Sequence, residues 1–471
     1  MEHFFILMRQ ELILTAIIFI LLFFKLASKK GDKSKFLLWV NILLTINLIF
    51  GFFWQQTGNL FGTMFFTNNL ITLEKSILNL GVLIISLQAY NWLKGHRHAP
   101  EFYILMLSTL LGMFFMISSQ NMLMFYLGLE LAGIPLASLA NFDLEQRRSS
   151  EAAMKYIMTS AFASAILLFG ISLMYGATGT IDFAGLQQAV NNEGLFIFAF
   201  IMILAGFGFK ISAVPFHLWT ADVYEGAPVP VTTYFSVISK GSMIFVMASM
   251  FFTAFEKIQV DWYQMVAILS VASMVIGNLF AIRQQNLKRF LAFSSISQIG
   301  FVLLGILGGK TMGVSAVTYF VLIYLFSNLA AFGVINVVSD ATGKENINDY
   351  KGFYKTNKHL SWIFAIALFS LAGIPPTAGF FGKFFLILSG TGGTGNYLLI
   401  TIAALNMVIS LFYYLRVIKA IFMDQNEYPL APVKVSLQPL MGMGIAVLGI
   451  IVTGIIGSVY EYISLLVKSM W

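Results

Sequence analysis

No cysteine occurs in the 471 residues, and only 10% of them are charged. Without thiolates the chain can carry no iron–sulfur cluster, no thiolate zinc site and no disulfide. Histidine is sparse: His3, His96, His98, His217 and His359. Only His217 falls at membrane depth, so a pair of axial ligands for a membrane haem is missing. No redox centre is legible on this chain. A soluble domain carries about 25% charged residues, so an ordinary soluble protein is excluded as well.

What the sequence does hold is apolar, at 58% hydrophobic residues. Runs of roughly 20 apolar residues recur, the length a helix needs to cross the hydrocarbon core. The fold class is therefore an all-α polytopic membrane protein with about fourteen transmembrane helices. The expected spans are 12–28, 36–55, 70–93, 102–119, 121–142, 151–175, 195–219, 228–255, 262–282, 287–308, 312–338, 360–389, 396–423 and 436–467. The turn between the fourth and fifth is short enough to leave their division open. The first run has Glu2 and Glu11 around Arg9 instead of a basic leader, and no small-residue cleavage site follows. It reads as a retained span.

Charge tests the count independently. The odd-numbered connections are basic, from Lys25, Lys29, Lys30, Lys33 and Lys35 in the first to Arg416, Lys419 and Lys434 in the last. The even connections and both termini hold only Arg9, Lys257, Lys310 and Lys468. The positive-inside rule then places both termini away from the cytoplasm and requires an even number of spans. The net charge of +7 reports topology, not a nucleic-acid surface.

Five lysines fall inside spans: Lys75, Lys155, Lys210, Lys240 and Lys383. Lys75 and Lys155 lie near span ends, where a long side chain can snorkel to the interface. Lys155 also follows Glu151 by one turn, a favourable pair. The other three lie too deep for that. A lysine at the bilayer centre costs about 2.5–3.5 kcal/mol by insertion measures, so it is retained mainly where it works inside a bundle. Desolvation favours neutral lysine, and a nearby carboxylate restores the charge. At about 4 Å and an effective dielectric near 20 such a pair is worth roughly 4 kcal/mol. That moves a protonation equilibrium about a thousandfold. Making or breaking one pair thus switches a buried lysine between holding and releasing a proton.

The one deep carboxylate expected is Glu130, in NMLMFYLGLELAGIPL. Its structural reading is a glutamate satisfied by serine or a carbonyl; its functional reading is the partner of a buried lysine. Prolines interrupt two spans: Pro215 in the seventh, and Pro375 and Pro376 in the twelfth. Each break has a lysine within about two turns. Broken helices in corresponding positions mark the working region of transporters built from inverted repeats. Spans seven and twelve are five apart, and a repeated five-helix unit must invert. Two inverted five-helix repeats with broken helices 7 and 12 are therefore expected. The segments are 1–100 (three helices), 101–255 and 256–425 (the repeats) and 426–471 (a final helix).

His217 stands evenly between a hydrogen-bonded core residue and a proton-transfer group. Asp222 and Glu225 read as capping or solvating a turn. Tyr324, Ser327, Asn328, Ser294, Ser295, Ser297 and Gln298 either hold water between sites or bond helices together. GTGGTG at 390–395 matches a nucleotide-loop pattern, but it lies between spans with no preceding strand and reads as a flexible loop. His96-Arg97-His98 reads as a solvated basic loop and a poor metal site.

Four stretches carry a family likeness: EAAMKYIMTSAFASAILLFGISLMYGATGT, VPFHLWTADVYEGAPVPVT, RQQNLKRFLAFSSISQIG and AGIPPTAGFFGKF. Over about residues 100–425 the chain resembles the antiporter-like subunits of respiratory complex I. The resemblance implies a proton-translocating membrane-arm subunit of a bacterial NADH-quinone oxidoreductase, in the cell inner membrane. NADH, FMN, iron–sulfur clusters and quinone would belong to other subunits, with no cofactor on this chain. Its partners would be other membrane-arm subunits and the lipid bilayer, with no nucleic acid. By motif position Glu130 and Lys210 would be the switching pair, Lys240 the central relay, and Lys383 the terminal lysine. Lys383 favours the branch of the family that keeps lysine there, and the lack of a long amphipathic C-terminal helix argues against another branch. Gln298 stands where relatives often have histidine, and Ala221 where they often have proline. The alternatives are a subunit of a cation/proton antiporter and a non-transporting scaffold.

Overall fold

The computed structural model describes residues 2–27, 33–53, 56–189, 194–391 and 396–470. The membrane helices begin with α1 (Arg9–Ala27) and α2 (Lys33–Phe52), followed by an antiparallel ribbon, β1 (Gly58–Leu60) and β2 (Phe65–Thr67). Next come α3 (Asn69–Gln88), α4 (Ala99–Ile117), α5 (Met122–Ala140), α6 (Arg147–Thr178), α7 (Gly194–Ile211) and α8 (Leu218–Gly226). Then follow α9 (Val229–Thr253), α10 (Gln259–Arg283), α11 (Leu287–Leu307) and α12 (Lys310–Thr342). The chain closes with α13 (Lys358–Ala372), α14 (Ala378–Thr391), α15 (Tyr397–Phe422), α16 (Leu437–Ile455) and α17 (Ser458–Met470).

Thirteen helices among the described residues are long and apolar enough to cross a membrane. The remaining expected span, the twelfth, is a pair of shorter apolar helices, α13 and α14, parted at Pro375 and Pro376. The turn at 118–121 does separate α4 from α5. Two expectations are corrected. The last span ends at Ile455, and α17 follows as a separate helix that buries Ile463, Leu466 and Val467 but exposes Glu461 and Lys468. Gly457 between them supplies no side chain to carry the helix on. Gly390 and Thr391 close α14 and are not loop; the other four residues of GTGGTG, like Lys29 and Lys30, lie outside the described residues.

A bilayer offers no water to spare backbone groups, so helices must satisfy their own. Asparagines cap four helix starts: the side chains of Asn68, Asn121, Asn286 and Asn396 accept from the first-turn amides of α3, α5, α11 and α15. Glycines at positive φ, Gly179, Gly343 and Gly373, close α6, α12 and α13. The helices α11 and α12 are buried along nearly their whole lengths, with α3 and α9 close behind. Outer helices keep large apolar side chains such as Phe23, Trp39, Phe162 and Phe412 exposed, as lipid-facing helices do.

Candidate functional site: a row of lysines

The first break puts a lysine at a helix end. Lys210 occupies the last turn of α7, which stops at Ile211. Ser212 then takes φ 64° and the Val214–Pro215 peptide is cis. Several of the freed backbone groups find partners. Ala213 N donates to Gly208 O at 2.8 Å, Val214 N to Ser273 Oγ at 3.0 Å, and Trp219 Nε1 to Phe209 O at 3.1 Å. The break is built into the fold, and α8 starts beyond it.

Lys210 Nζ donates to Ser160 Oγ on α6 at 3.0 Å. It also passes 3.3 Å from where a Cβ on Gly133 would stand. Glu130, one turn before Gly133, is half-buried at the rim of α5, and its Oε1 has no partner. The expected Glu130–Lys210 pair is thus corrected: the two are neighbours across α5 and α7 but form no ion pair. Serine takes the ammonium, and the carboxylate stands one turn away.

Lys240 follows directly on a π-helical turn, Phe235–Ser239, within α9. Such turns are uncommon and cluster at functional sites. Its Nζ donates to Ser295 Oγ on α11 at 2.7 Å and lies 5.2 Å from the Tyr224 ring centre. A cavity of about 20 Å³ is bordered by Lys210, Gly133, Tyr156 and Ser239, the residue before Lys240. That is room for one water, which needs about 10–15 Å³.

At the second break Lys383 reaches back from α14 to the end of α13. Its Nζ donates to Leu371 O at 2.8 Å and Ala372 O at 3.1 Å. The last carbonyls of a helix carry its negative pole, so the helix end does the work of a counter-ion. Gly373 makes room, since a Cβ there would stand 3.1 Å from Lys383 Cδ. Gln298 Nε2 also donates to Leu371 O, at 3.3 Å, and to Tyr414 OH at the same distance. Ser295 and Gln298 are one turn apart on α11, so that helix touches both Lys240 and Lys383.

The other sequence candidates are placed as follows. His217 sits between the break and α8, buried, with Nδ1 unpartnered. Ser294 bonds Tyr414, Ser327 bonds Ser370 at 2.7 Å, and Asn328 Nδ2 donates to Tyr324 O. Ser294 and Ser327 therefore join helices, whereas Asn328 bonds within α12. Lys155 pairs with Glu151 at 2.9 Å and also with Asp222 at 2.7 Å. Asp222 and Glu225 do more than solvate their turn, because Arg289 bonds them at 2.6 and 3.0 Å and ties α8 to α11. Burial opposes ionisation of Asp222, but hydrogen bonds from Lys155 and Arg289 outweigh it and hold its carboxyl below the ordinary value. His96 and His98 are taken by Asp143 and Glu101.

Two readings fail at the N-terminal helices. Lys75 does not snorkel: it is 1% exposed, and its Nζ donates to Glu11 Oε1 at 2.5 Å. Glu130 is not the one deep carboxylate, for Glu11 and Glu74 are both more buried. The cause is that α3 is surrounded by protein on nearly all sides, so its second turn has no route to the interface. Sequence reasoning missed the pair because the partners stand 64 residues apart. The available signal was Glu11 itself, an acid at the start of an apolar run.

A many-spanning helical chain with two interrupted helices and lysines set along its interior defines an antiporter-like membrane subunit. The family model described as NADH:quinone oxidoreductase/Mrp antiporter, TM matches residues 119–410. NADH-quinone oxidoreductase subunit N from Phocaeicola vulgatus is 43% identical, over 97% of this chain and 97% of that relative. The subunit N from Azobacteroides pseudotrichonymphae is also 43% identical, over 98% and 97%. The chain belongs to the NADH-quinone oxidoreductase subunit N family. A chain of respiratory complex I from Thermus thermophilus with bound aureothin has a TM-score of 0.82 at 26% identity, covering 96% of this chain and 98% of that one. A chain of the Mrp complex from a Dietzia species shares the fold, with a TM-score of 0.87 at 20% identity.

Proposed function

We propose that Glu130, Lys210, Lys240 and Lys383 form the proton relay of a membrane-arm subunit, and that electron transfer from NADH to quinone in neighbouring subunits drives it. One observation carries the reading. Each of the three lysines is held by neutral oxygens, Ser160 Oγ, Ser295 Oγ and the end of α13, with no carboxylate paired to any of them among the described residues. Each can release or regain its proton without breaking an ion pair. Glu130 beside Lys210 supplies the charge that biases the first step, and the small cavity beside Ser239 suits a bridging water to Lys240. From there Ser295 and Gln298, one turn apart on α11, line the way to Lys383 at the end of α13. His217, at the break with a free ring nitrogen, stands ready as a side station. The flanking membrane subunits would be the chain's partners, and the basic connections would face the cytoplasm of a bacterial inner membrane.

The test is Lys240→Ala and Glu130→Gln in the assembled complex, followed by quinone reduction and proton uptake into vesicles. Assembly with depressed pumping is expected; full pumping in both variants overturns the relay. The family description also names antiporters, so reconstitution of the chain alone separates the readings. Only an antiporter exchanges cations without partner subunits.

A further inference from the structure

A second buried charge group lies in α1 and α3, away from the row just described. Lys75 is bonded to Glu11 Oε1 and to Ser118 Oγ at the end of α4, both at 2.5 Å. The ring centres of Phe65 and Phe114 lie 5.1 and 5.9 Å from its Nζ. Arg9 and Glu74 are the other charges beside the pair, while α17 keeps Glu461 and Lys468 at exposed positions. The second carboxylate oxygen, Glu11 Oε2, is buried and accepts from no protein group.

Polar groups continue one turn deeper. The antiparallel register of α2 and α3 is fixed at both ends. A Cβ on Gly51 would stand 2.9 Å from Ser76 Oγ, and Ser86 Oγ donates to Asn41 Oδ1 at 2.5 Å. Between these two contacts, that register sets Asn47 level with Asn79 and Leu80. Asn79 is also one turn below Lys75. Both asparagines are 0% exposed, and neither amide has a protein partner at its nitrogen or its oxygen. An unmet buried polar group costs about 1–3 kcal/mol, and water is the ordinary occupant of such places. Leu44 and Leu83, both buried, close the column below before Asn41, Ser86 and Tyr103. Above, Ser118 is two residues from Gln120, which lines a cavity of about 330 Å³ with Asn59 and Asp182. Polar groups thus lie from Asn47 and Asn79 toward the end where α1 begins, with Leu44 and Leu83 on the other side.

We propose that Glu11 and Lys75, with the amides of Asn47 and Asn79, form a water-binding site that takes up and releases a proton on the side of the membrane where α1 begins. A proton arriving through water bonds to Glu11 Oε2, converts the carboxylate to the acid and dissolves the ion pair with Lys75. Its return to water restores the pair. A plain structural clamp would not keep two amides without protein partners, since each unmet buried polar group costs stability.

The test is an infrared pH titration of the purified complex in water and heavy water. The wild type is expected to show a protonated-carboxyl band that grows on acidification and shifts in heavy water. Glu11→Gln should remove that band, and Asn47→Leu/Asn79→Leu should remove its exchange. The band should persist in Glu130→Gln, so this readout stands or falls separately from the relay. A wild type without an exchanging band, or a band unchanged in Glu11→Gln, overturns the proposal. Should Glu11→Gln fail to assemble, unchanged exchange in the asparagine double variant overturns it equally.

Discussion

Gln298 and Lys383 share one acceptor, the main-chain carbonyl of Leu371, at 3.3 and 2.8 Å. That carbonyl belongs to the last turn of α13, where the helix has no further amide to offer it. The side chain of α11 is thereby placed against the same oxygen that holds the terminal lysine. On the proposed relay, this junction lies between Lys240 and Lys383.

The first prediction follows. Gln298→Leu keeps the volume and removes the donor, so proton uptake should fall about tenfold, equivalent to about 1.4 kcal/mol on the barrier. Gln298→His, which restores a nitrogen donor, should recover most of it. Pumping by the assembled complex, normalised to quinone turnover, is the measurement. Equal pumping in the leucine variant and the wild type removes Gln298 from the route.

Ser295 is the protein oxygen that Lys240 Nζ bonds. Ser295→Ala leaves the ammonium buried without that partner, at an expected cost of about 1–3 kcal/mol. The variant should assemble with a lowered Tm and lowered pumping, while Ser295→Thr should keep both. Calorimetry of the purified complex beside a pumping assay decides it, since a purely structural serine would lower Tm and leave pumping per assembled complex intact.

Gly133 and Gly176 make a matched pair of substitutions. A Cβ at Gly133 meets Lys210 Nζ at 3.3 Å, whereas a Cβ at Gly176 meets nothing within 4 Å. Gly133→Val should therefore push the lysine off Ser160 and depress pumping with little change in Tm. Gly176→Ala should leave pumping alone and stabilise α6 by up to about 1 kcal/mol. Undiminished pumping in Gly133→Val would show that the position of Lys210 is not set from α5.

Hydropathy and proline made the framework legible: the spans, both breaks and the lysines beside them follow from run length and from residues that cannot continue a helix. What joins those lysines was not legible. Ser160 and Lys210 are 50 residues apart, and Ser295 and Lys240 are 55 apart. Nothing local distinguishes these serines from those that bond their own helix. A carboxylate looks like the natural direct partner of Lys210, but Ser160 is nearer in space and Glu130 acts on it from a distance. Lys75 was misjudged because burial depends on how many neighbours wrap a helix, which span position does not reveal.

Asp222 yields the pH prediction. It lies about one-third exposed between Lys155 and Arg289, and its carboxyl sits below the ordinary value despite the opposing effect of burial. A depressed carboxylate stabilises the folded state above its unfolded value of about 3.9, and that contribution is lost as pH falls through the folded value. The link between α8 and α11 should therefore be intact at neutral pH and fail only in acid, below about pH 4. Exposure limits its worth to roughly 0.2–1 kcal/mol per pair. Asp222→Asn should lower Tm slightly at neutral pH and flatten the acid limb of the Tm profile, with the difference from wild type vanishing at the lowest pH. A difference that instead grows toward acid would mean that the Asp222 carboxylate is not what Arg289 and Lys155 hold.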